Sequence, residues 1–292
     1  MDVLLTGSSG FVGKNIIQYL GNEYRITSFF RNQEIIVNEN VIIHLAGKAH
    51  DLKNTSNPDE YYQVNYELTK KLYDAFLASD ASRFIFVSSV KAAADVVDGV
   101  LSEDISPNPK THYGKSKLMA EEYIRSQPLP IGKSYYILRP CMIHGPCNKG
   151  NLNLLYNFVK KGLPYPLASF TNKRSLLSIE NLCFVIKQIM EKDILSGVYN
   201  VADDDALSTT QIVSIIAKII YKQPKLWHVS PQLIKLVAKI GDVLKLPVNS
   251  ERLTKLTESY VVSNQKIKKQ LGKNLPVKAA EGLITTIKSF HN

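Results

Sequence analysis

The chain has 292 residues, 45% hydrophobic and 21% charged, with 15 Gly, 13 Pro and 3 Cys, a balance that excludes a disordered tail, a fibre and a disulfide scaffold. Its 36 Lys and Arg against 26 Asp and Glu leave a net charge of +10. That charge is uneven: residues 1–210 are balanced, whereas 211–292 carry 14 basic against 4 acidic residues.

Cys141, Cys147 and Cys183 form no CxxC pair and leave an odd thiol, as expected in a reducing compartment, and no metal site is expected from them. The first residues, Met1 to Gly7, lack a basic n-region and run directly into a strand pattern, so no secretory signal is expected. Apolar stretches are interrupted well before the roughly 18 residues that a bilayer span needs. The expectation is a cytoplasmic protein.

In chain order, short apolar or β-branched runs predict strands at Val3–Thr6, Arg25–Phe29, Val41–Leu45, Arg83–Val87 and Tyr135–Leu138. Amphipathic helical segments near 11–20, 59–79 and 113–126 alternate with most of them. This pattern predicts an α/β fold, a Rossmann-type doubly wound parallel sheet. Ten residues from Arg31 to Asn40 are too few for a crossover helix, which predicts an irregular link there. After Pro146, helical stretches near 151–161, 179–191 and 208–221 are interleaved with Pro-rich loops, and from 230 the chain reads as almost wholly helical. Residues 1–150, with a return near 175–205, are expected to form the dinucleotide-binding domain, and 151–292 a smaller, mostly helical substrate lobe. In the basic segment, lysines fall between apolar residues, as in Leu233 to Ile240. A solvated lysine face over a packed apolar stripe is expected there, with contact to a membrane surface as the alternative. No helix-turn-helix, zinc spacing or RNA-binding motif points to nucleic acid.

Thr6-Gly7-Ser8-Ser9-Gly10-Phe11-Val12-Gly13 follows the first strand and opens a helix. Glycines there let backbone N–H groups approach a pyrophosphate at a helix N-terminus. An acidic residue ending the second strand would receive the ribose 2′-hydroxyl of NAD, and an Arg the 2′-phosphate of NADP. The sequence offers no acid and Arg31, which favours NADP(H), with NAD(H) the alternative.

Tyr-x-x-x-Lys sets an ammonium one helical turn from a phenol, which lowers the phenol pKa and suits it to proton exchange. The spacing occurs at Tyr66/Lys70, Tyr113/Lys117, Tyr156/Lys160 and Tyr221/Lys225. Only Tyr113 opens a helix shortly after a strand that ends in serine, Phe84 to Ser89. Ligands of doubly wound sheets gather at the carboxyl ends of strands, where Ser89 and Tyr113 can converge.

Together with His44-Leu45-Ala46-Gly47, Val64-Asn65 with Thr69, Leu138-Arg139-Pro140, Gly145-Pro146 and Asn172-Lys173-Arg174-Ser175-Leu176, these motifs resemble the extended short-chain dehydrogenase/reductases that act as sugar-nucleotide epimerases, dehydratases and reductases. The resemblance spans nearly the whole chain. It implies Ser89, Tyr113 and Lys117 as catalytic residues. It also implies a dinucleotide held by Gly7, Gly10, Phe11, Val12, Gly13, Arg31, Leu45, Ala46, Gly47, Asn65, Ser88, Tyr113, Lys117 and Pro140. For a UDP-sugar it implies Ser89, Lys91, Asn151, Pro166, Leu167, Ala168 and Arg174, with Arg252 as a further phosphate cation. The family's dehydratases carry Asp-Glu after the catalytic Ser/Thr, where this chain has Val90 and Lys91, so 4,6-dehydration is not expected. His44 is expected to pack under the cofactor rather than to act as a base. The likeness further implies a homodimer built on the helices beginning near 59 and 113, with Tyr62, Tyr66, Leu68, Leu72 and Tyr73 as contacts.

Two reactions use this set: NADPH reduction of the 4-keto group of a UDP-linked 6-deoxy-N-acetylhexosamine for surface polysaccharide, or NAD-dependent 4-epimerisation of a UDP-hexose or UDP-HexNAc. A non-catalytic dinucleotide sensor is the third reading, against which the retained Ser, Tyr and Lys argue.

Overall fold

The computed structural model describes residues 1–30, 33–48, 57–148, 150–244 and 249–290. In chain order the elements begin β1 (Asp2–Thr6), α1 (Phe11–Leu20), β2 (Arg25–Phe29), β3 (Val41–His44) and α2 (Pro58–Tyr62). A π-helical turn, Gln63–Glu67, leads into α3 (Leu68–Ala78) and β4 (Arg83–Val87). A 3-10 turn, Val90–Ala92, precedes β5 (Val100–Leu101), α4 (His112–Ser126), β6 (Ser134–Pro140), β7 (Met142–His144) and α5 (Asn151–Lys160). Then come β8 (Arg174–Ser178), α6 (Ile179–Glu191), β9 (Gly197–Val201), β10 (Ala206–Leu207) and α7 (Thr209–Ile219). The chain ends with α8 (Pro231–Val243), α9 (Ser250–Thr257), β11 (Val261–Val262), α10 (Gln265–Leu271) and α11 (Ala279–Lys288).

Six strands form one parallel sheet in the order β2-β1-β3-β4-β6-β9. Its central strands are covered on both faces, which is why they read as continuous apolar runs rather than alternating ones. Val3, Leu5, Ile43, Ile85 and Leu138 pack towards α6, and Leu4, Ile42, Phe84, Phe86 and Ile137 towards α3 and α4. No crossover helix joins β2 to β3 among the described residues, as the short connection predicts. Strand order reverses direction at β1, with β2 on one side and β3 on the other, and that switch point opens a crevice at the carboxyl ends of β1 and β3. A three-stranded sheet, β10-β8-β7, and a parallel pair, β11-β5, lie beyond.

Two expectations fail on burial. Leu72 and Tyr73 are fully enclosed with Phe76 and Phe84, the Tyr73 and Phe84 rings meeting edge to face at 5.0 Å. They hold α3 to the sheet and are unavailable as dimer contacts, whereas Tyr62, Tyr66 and Leu68 keep partial exposure. In α8, only the small Ala238 and Gly241 are buried and Ile234 is half-buried. The larger residues Leu233, Leu236, Val237, Ile240 and Val243 face outwards. The apolar stripe expected to be packed is therefore turned to solvent.

Candidate active site

The loop between β1 and α1 packs so closely that it requires glycine. Gly7 adopts φ +72°, and a Cβ there would lie 2.8 Å from the Ala46 amide nitrogen. At Gly13 a Cβ would lie 2.3 Å from the Gly7 carbonyl oxygen, so only glycine lets the helix pack this closely against the loop. Gly10 is the N-cap of α1 and brings no side chain to the first-turn N–H groups. Gly7, Ser8, Ser9, Gly10, Phe29, Phe30, Leu45, Ala46, Gly47 and Leu68 surround a cleft of about 400 Å³ at the switch point. Of the predicted dinucleotide residues, Gly7, Gly10, Leu45, Ala46 and Gly47 line it. Phe11 and Val12 instead pack into the core beneath. Arg31 lies outside the described residues. Pro140 is buried at the end of β6.

The floor of the cleft is a chain of hydrogen bonds. Thr6 Oγ1 accepts from Ala46 N–H at 3.0 Å and meets His44 Nδ1 at 2.7 Å; His44 Nε2 meets Thr69 Oγ1 at 2.9 Å, and Thr69 donates to the Asn65 carbonyl. Thr69 spends its one hydroxyl proton on the Asn65 carbonyl, so its oxygen accepts from His44 Nε2–H, and Nδ1 accepts the Thr6 proton. Burial, with the nearby Lys117 charge adding to it, pulls the His44 pKa down to about 3. His44 is thus a neutral structural group stacked on Phe86, not a base.

Asn65 sits in the π-helical turn, where the extra residue re-aims it towards the cleft. Its Oδ1 accepts from Lys48 N–H at 2.8 Å, and its Nδ2 donates to Ser116 Oγ at 3.0 Å. Ser116 in turn donates to the Tyr113 carbonyl. The chain therefore ties the loop after β3 to the first turn of α4.

Thr111 caps α4 by accepting from Gly114 N–H, which fixes where the helix starts and so where Tyr113 stands. The Tyr113 hydroxyl is hydrogen-bonded to Ser89, and its ring meets Tyr61 edge-on at 6.3 Å. Ser89 also caps the 3-10 turn by accepting from Lys91 N–H at 3.2 Å. Burial raises the phenol pKa and the Ser89 bond opposes it. The expected lowering by Lys117 is not found here, because the ammonium is engaged elsewhere. Lys117 Nζ donates to the Val87 carbonyl at 3.2 Å and lies 4.8 Å from the Phe86 ring centroid. A Cβ on Gly47 would sit 3.0 Å from that Nζ, which places it at the cleft wall. Burial lowers the Lys117 pKa to about 8, partly offset by Glu121.

Glu121, one turn beyond Lys117, is fully buried with Arg139, whose guanidinium reaches both carboxylate oxygens. Ser88 donates to the same carboxylate at 2.5 Å. The Ser88 side chain is thereby committed to this cluster rather than to the cleft, a correction to its expected role. The cluster locks α4 to β4 and β6, and Glu121 is not among the residues expected from the sequence motifs. A carboxylate at Lys117 plus four on a buried helix face was the available signal.

The predicted substrate residues lie on the far side of the Ser89 loop. Lys91 Nζ donates to the Asp95 carbonyl and lies 4.3 Å from the Tyr260 ring centroid; burial lowers its pKa, and the Arg174 charge adds to this. Tyr260, also not among the residues expected from the sequence motifs, donates to the Ala94 carbonyl at 2.7 Å. Arg174 bonds the Lys255 carbonyl through Nη2, while its Nε is buried without a hydrogen-bond partner. Pro166, Leu167 and Ala168 occupy a loop bridged to Leu226 and His228 through Tyr165 and Leu167. Asn151 lies apart, lining a second cavity of about 270 Å³ with Met142, Asn148 and Phe290. Arg252 is exposed on α9, one turn before Lys255. The structure thus brings Ser89, Tyr113 and Lys117 together and sets Lys91 near Arg174, but it does not gather Asn151 with them.

The sequence pattern of the NAD dependent epimerase/dehydratase family matches residues 31–202. The chain belongs to this family. Over 99% of this chain and 95% of the relative, it is 29% identical to the UDP-glucose 4-epimerase of Vibrio cholerae. It is 27% identical, over 92% and 85%, to the N-acetyl-alpha-D-glucosaminyl-diphospho-ditrans,octacis-undecaprenol 4-epimerase of Escherichia coli O157:H7. A third relative, the UDP-2-acetamido-2,6-beta-L-arabino-hexul-4-ose reductase of Pseudomonas aeruginosa, is 26% identical over 68% of this chain and 52% of its own length. In fold, the UDP-N-acetylglucosamine 4-epimerase of Bacillus cereus superposes with a TM-score of 0.78 over the full length of both chains at 18% identity.

Proposed function

We propose that this family member reduces the 4-keto group of a UDP-linked 6-deoxy-N-acetylhexosamine, with NADPH as the partner and Tyr113 as the proton donor. The observation that carries the reading is the Ser89–Tyr113 hydroxyl pair at the carboxyl end of β4, one helical turn from the buried Lys117. The glycine loop fits a dinucleotide, since Gly7 and Gly10 line the cleft beside the N-terminus of α1 and bring no side chain to its first-turn N–H groups. Gly7, Gly10, Leu45, Ala46 and Gly47 would hold it, and Arg31 would receive a 2′-phosphate. When bound, it supplies the hydride.

The side chains do the rest. Ser89 donates a hydrogen bond to the sugar oxygen as negative charge grows on it, and Tyr113 delivers the proton that makes it a hydroxyl. Lys117, held at the cleft wall by the Val87 carbonyl, would hold the ribose of the bound dinucleotide. Arg174, with its buried unpartnered Nε, and Lys91 supply positive charge for a diphosphate. Val90 is buried and apolar and Lys91 is cationic, so an acid and base pair for eliminating water is missing beside Ser89.

A second reading, 4-epimerisation, is supported by the whole-length likeness to a UDP-glucose 4-epimerase. Ser89, Tyr113 and Lys117 serve it equally, first removing and then returning the proton. The test is incubation of the purified enzyme with NADPH and a UDP-4-keto-6-deoxy-N-acetylhexosamine. Stoichiometric oxidation of NADPH with formation of the 4-hydroxy sugar supports the reductase. Interconversion of UDP-GlcNAc and UDP-GalNAc with no net consumption of dinucleotide replaces it with the epimerase.

A further inference from the structure

The face of α8 that the other described residues leave uncovered is apolar. Leu233, Leu236, Val237, Ile240, Val243 and Leu244 are between 49% and 82% exposed. At 3.6 residues per turn they fall within an arc of about 120°. The adjoining arc, Ile234, Ala238 and Gly241, seats the helix on the lobe. Lys235 and Lys239, both exposed, border the apolar arc on one side. Leu256, exposed on α9, which packs against α8, adds to the same kind of surface.

Charge identifies the occupant. Residues 211–292 hold 14 basic and 4 acidic residues, which is the entire net charge of the chain. Two of those acids are engaged locally: Asp242 accepts from the Ser250 amide and hydroxyl, and Glu251 pairs with Lys255. A second copy would bring the same strongly basic segment against itself. An anionic lipid surface would accept the apolar arc below its headgroups and the lysines at their level, which is the pattern of a helix lying in a membrane interface.

We infer that α8 docks this protein on an anionic phospholipid bilayer. The consequence for the site is geometric. The end of α9 is held by Arg174 through the Lys255 carbonyl and by Asn172 through the Leu256 carbonyl. The docking face thus lies one helix away from the cation assigned to a diphosphate, and a diphosphate presented at the bilayer surface would meet it from that side. The docking stands on the surface alone and does not depend on which reaction the enzyme performs.

The experiment is co-sedimentation of the full chain with vesicles of phosphatidylcholine, alone or mixed with phosphatidylglycerol, beside the variants Leu236→Glu/Ile240→Glu and Lys235→Glu/Lys239→Glu. The altered side chains are exposed, so thermal melts and NADPH binding are expected to match the parent and establish folding. Binding to the mixed vesicles, at least tenfold weaker on phosphatidylcholine alone and at least tenfold weaker in either variant, supports the inference. Absence of binding to the mixed vesicles overturns it, as does binding that the leucine and isoleucine substitutions leave unchanged. Analytical ultracentrifugation provides a further arm. A dimer that dissociates in Leu236→Glu/Ile240→Glu without any vesicle binding by the parent assigns the face to a second copy and also overturns it.

Discussion

Ser89 Oγ accepts the Lys91 amide proton and is hydrogen-bonded to the Tyr113 hydroxyl, so one oxygen both caps the turn after β4 and meets the candidate proton donor. Because that oxygen already accepts, its own proton is free to point to the phenol oxygen. This bond favours the ionised phenol while burial disfavours it. One side chain thus fixes the loop geometry and opposes the larger effect of burial on the phenol.

Tyr113→Phe removes the proton donor and leaves the glycine cradle intact. The turnover number is expected to fall by about 10²–10⁴, with the dissociation constant for NADPH unchanged in a fluorescence titration. A near-parental rate would reject Tyr113 as donor and restore the sensor reading as a competitor.

Lys117 predicts an alkaline limb. Its pKa is lowered to about 8, so its charge is present below that pH and lost above it. The turnover number for reduction is expected to decline as pH rises through about 8, when the Lys117 ammonium at the cleft wall loses its charge. A rate profile flat through that range in a multi-component buffer would detach Lys117 from the chemistry. Stability runs the other way. The unfolded chain keeps this proton up to the ordinary 10.5, so the folded state gains stability as pH rises from about 8 towards 10.5.

Glu121→Ala strands the Arg139 guanidinium without its buried carboxylate. Breaking one side of such a pair costs roughly 3–5 kcal/mol, a fall in Tm of about 5–8 °C for a chain of this size. A change below about 2 °C in a thermal melt would show that the pair does not hold α4 in place.

Arg31→Ala addresses cofactor choice. Losing a charged contact to a 2′-phosphate is worth roughly 10–100-fold in affinity. The KM for NADPH is expected to rise by that factor, with the KM for NADH unchanged. Equal losses for both would remove Arg31 from the 2′ position.

Local pattern alone determined five of the six strands of the main sheet, the glycine loop and the spacing of Ser89, Tyr113 and Lys117, because periodicity and motif spacing are properties of neighbouring residues, whereas β9 was not legible as a strand. Choosing Tyr113/Lys117 among four identical spacings needed only strand order and the rule that ligands gather at strand ends. Tertiary structure decided what depends on partners distant in the chain. Glu121 meets Arg139 across 18 positions, and the Lys117 ammonium turns to the Val87 carbonyl, so the phenol beside it is tuned by Ser89 instead. The same holds for faces: Leu72 and the outer arc of α8 both read as apolar stripes. Period 3.6 fixes which side chains share a face, but only the packed chain decides whether another element covers it.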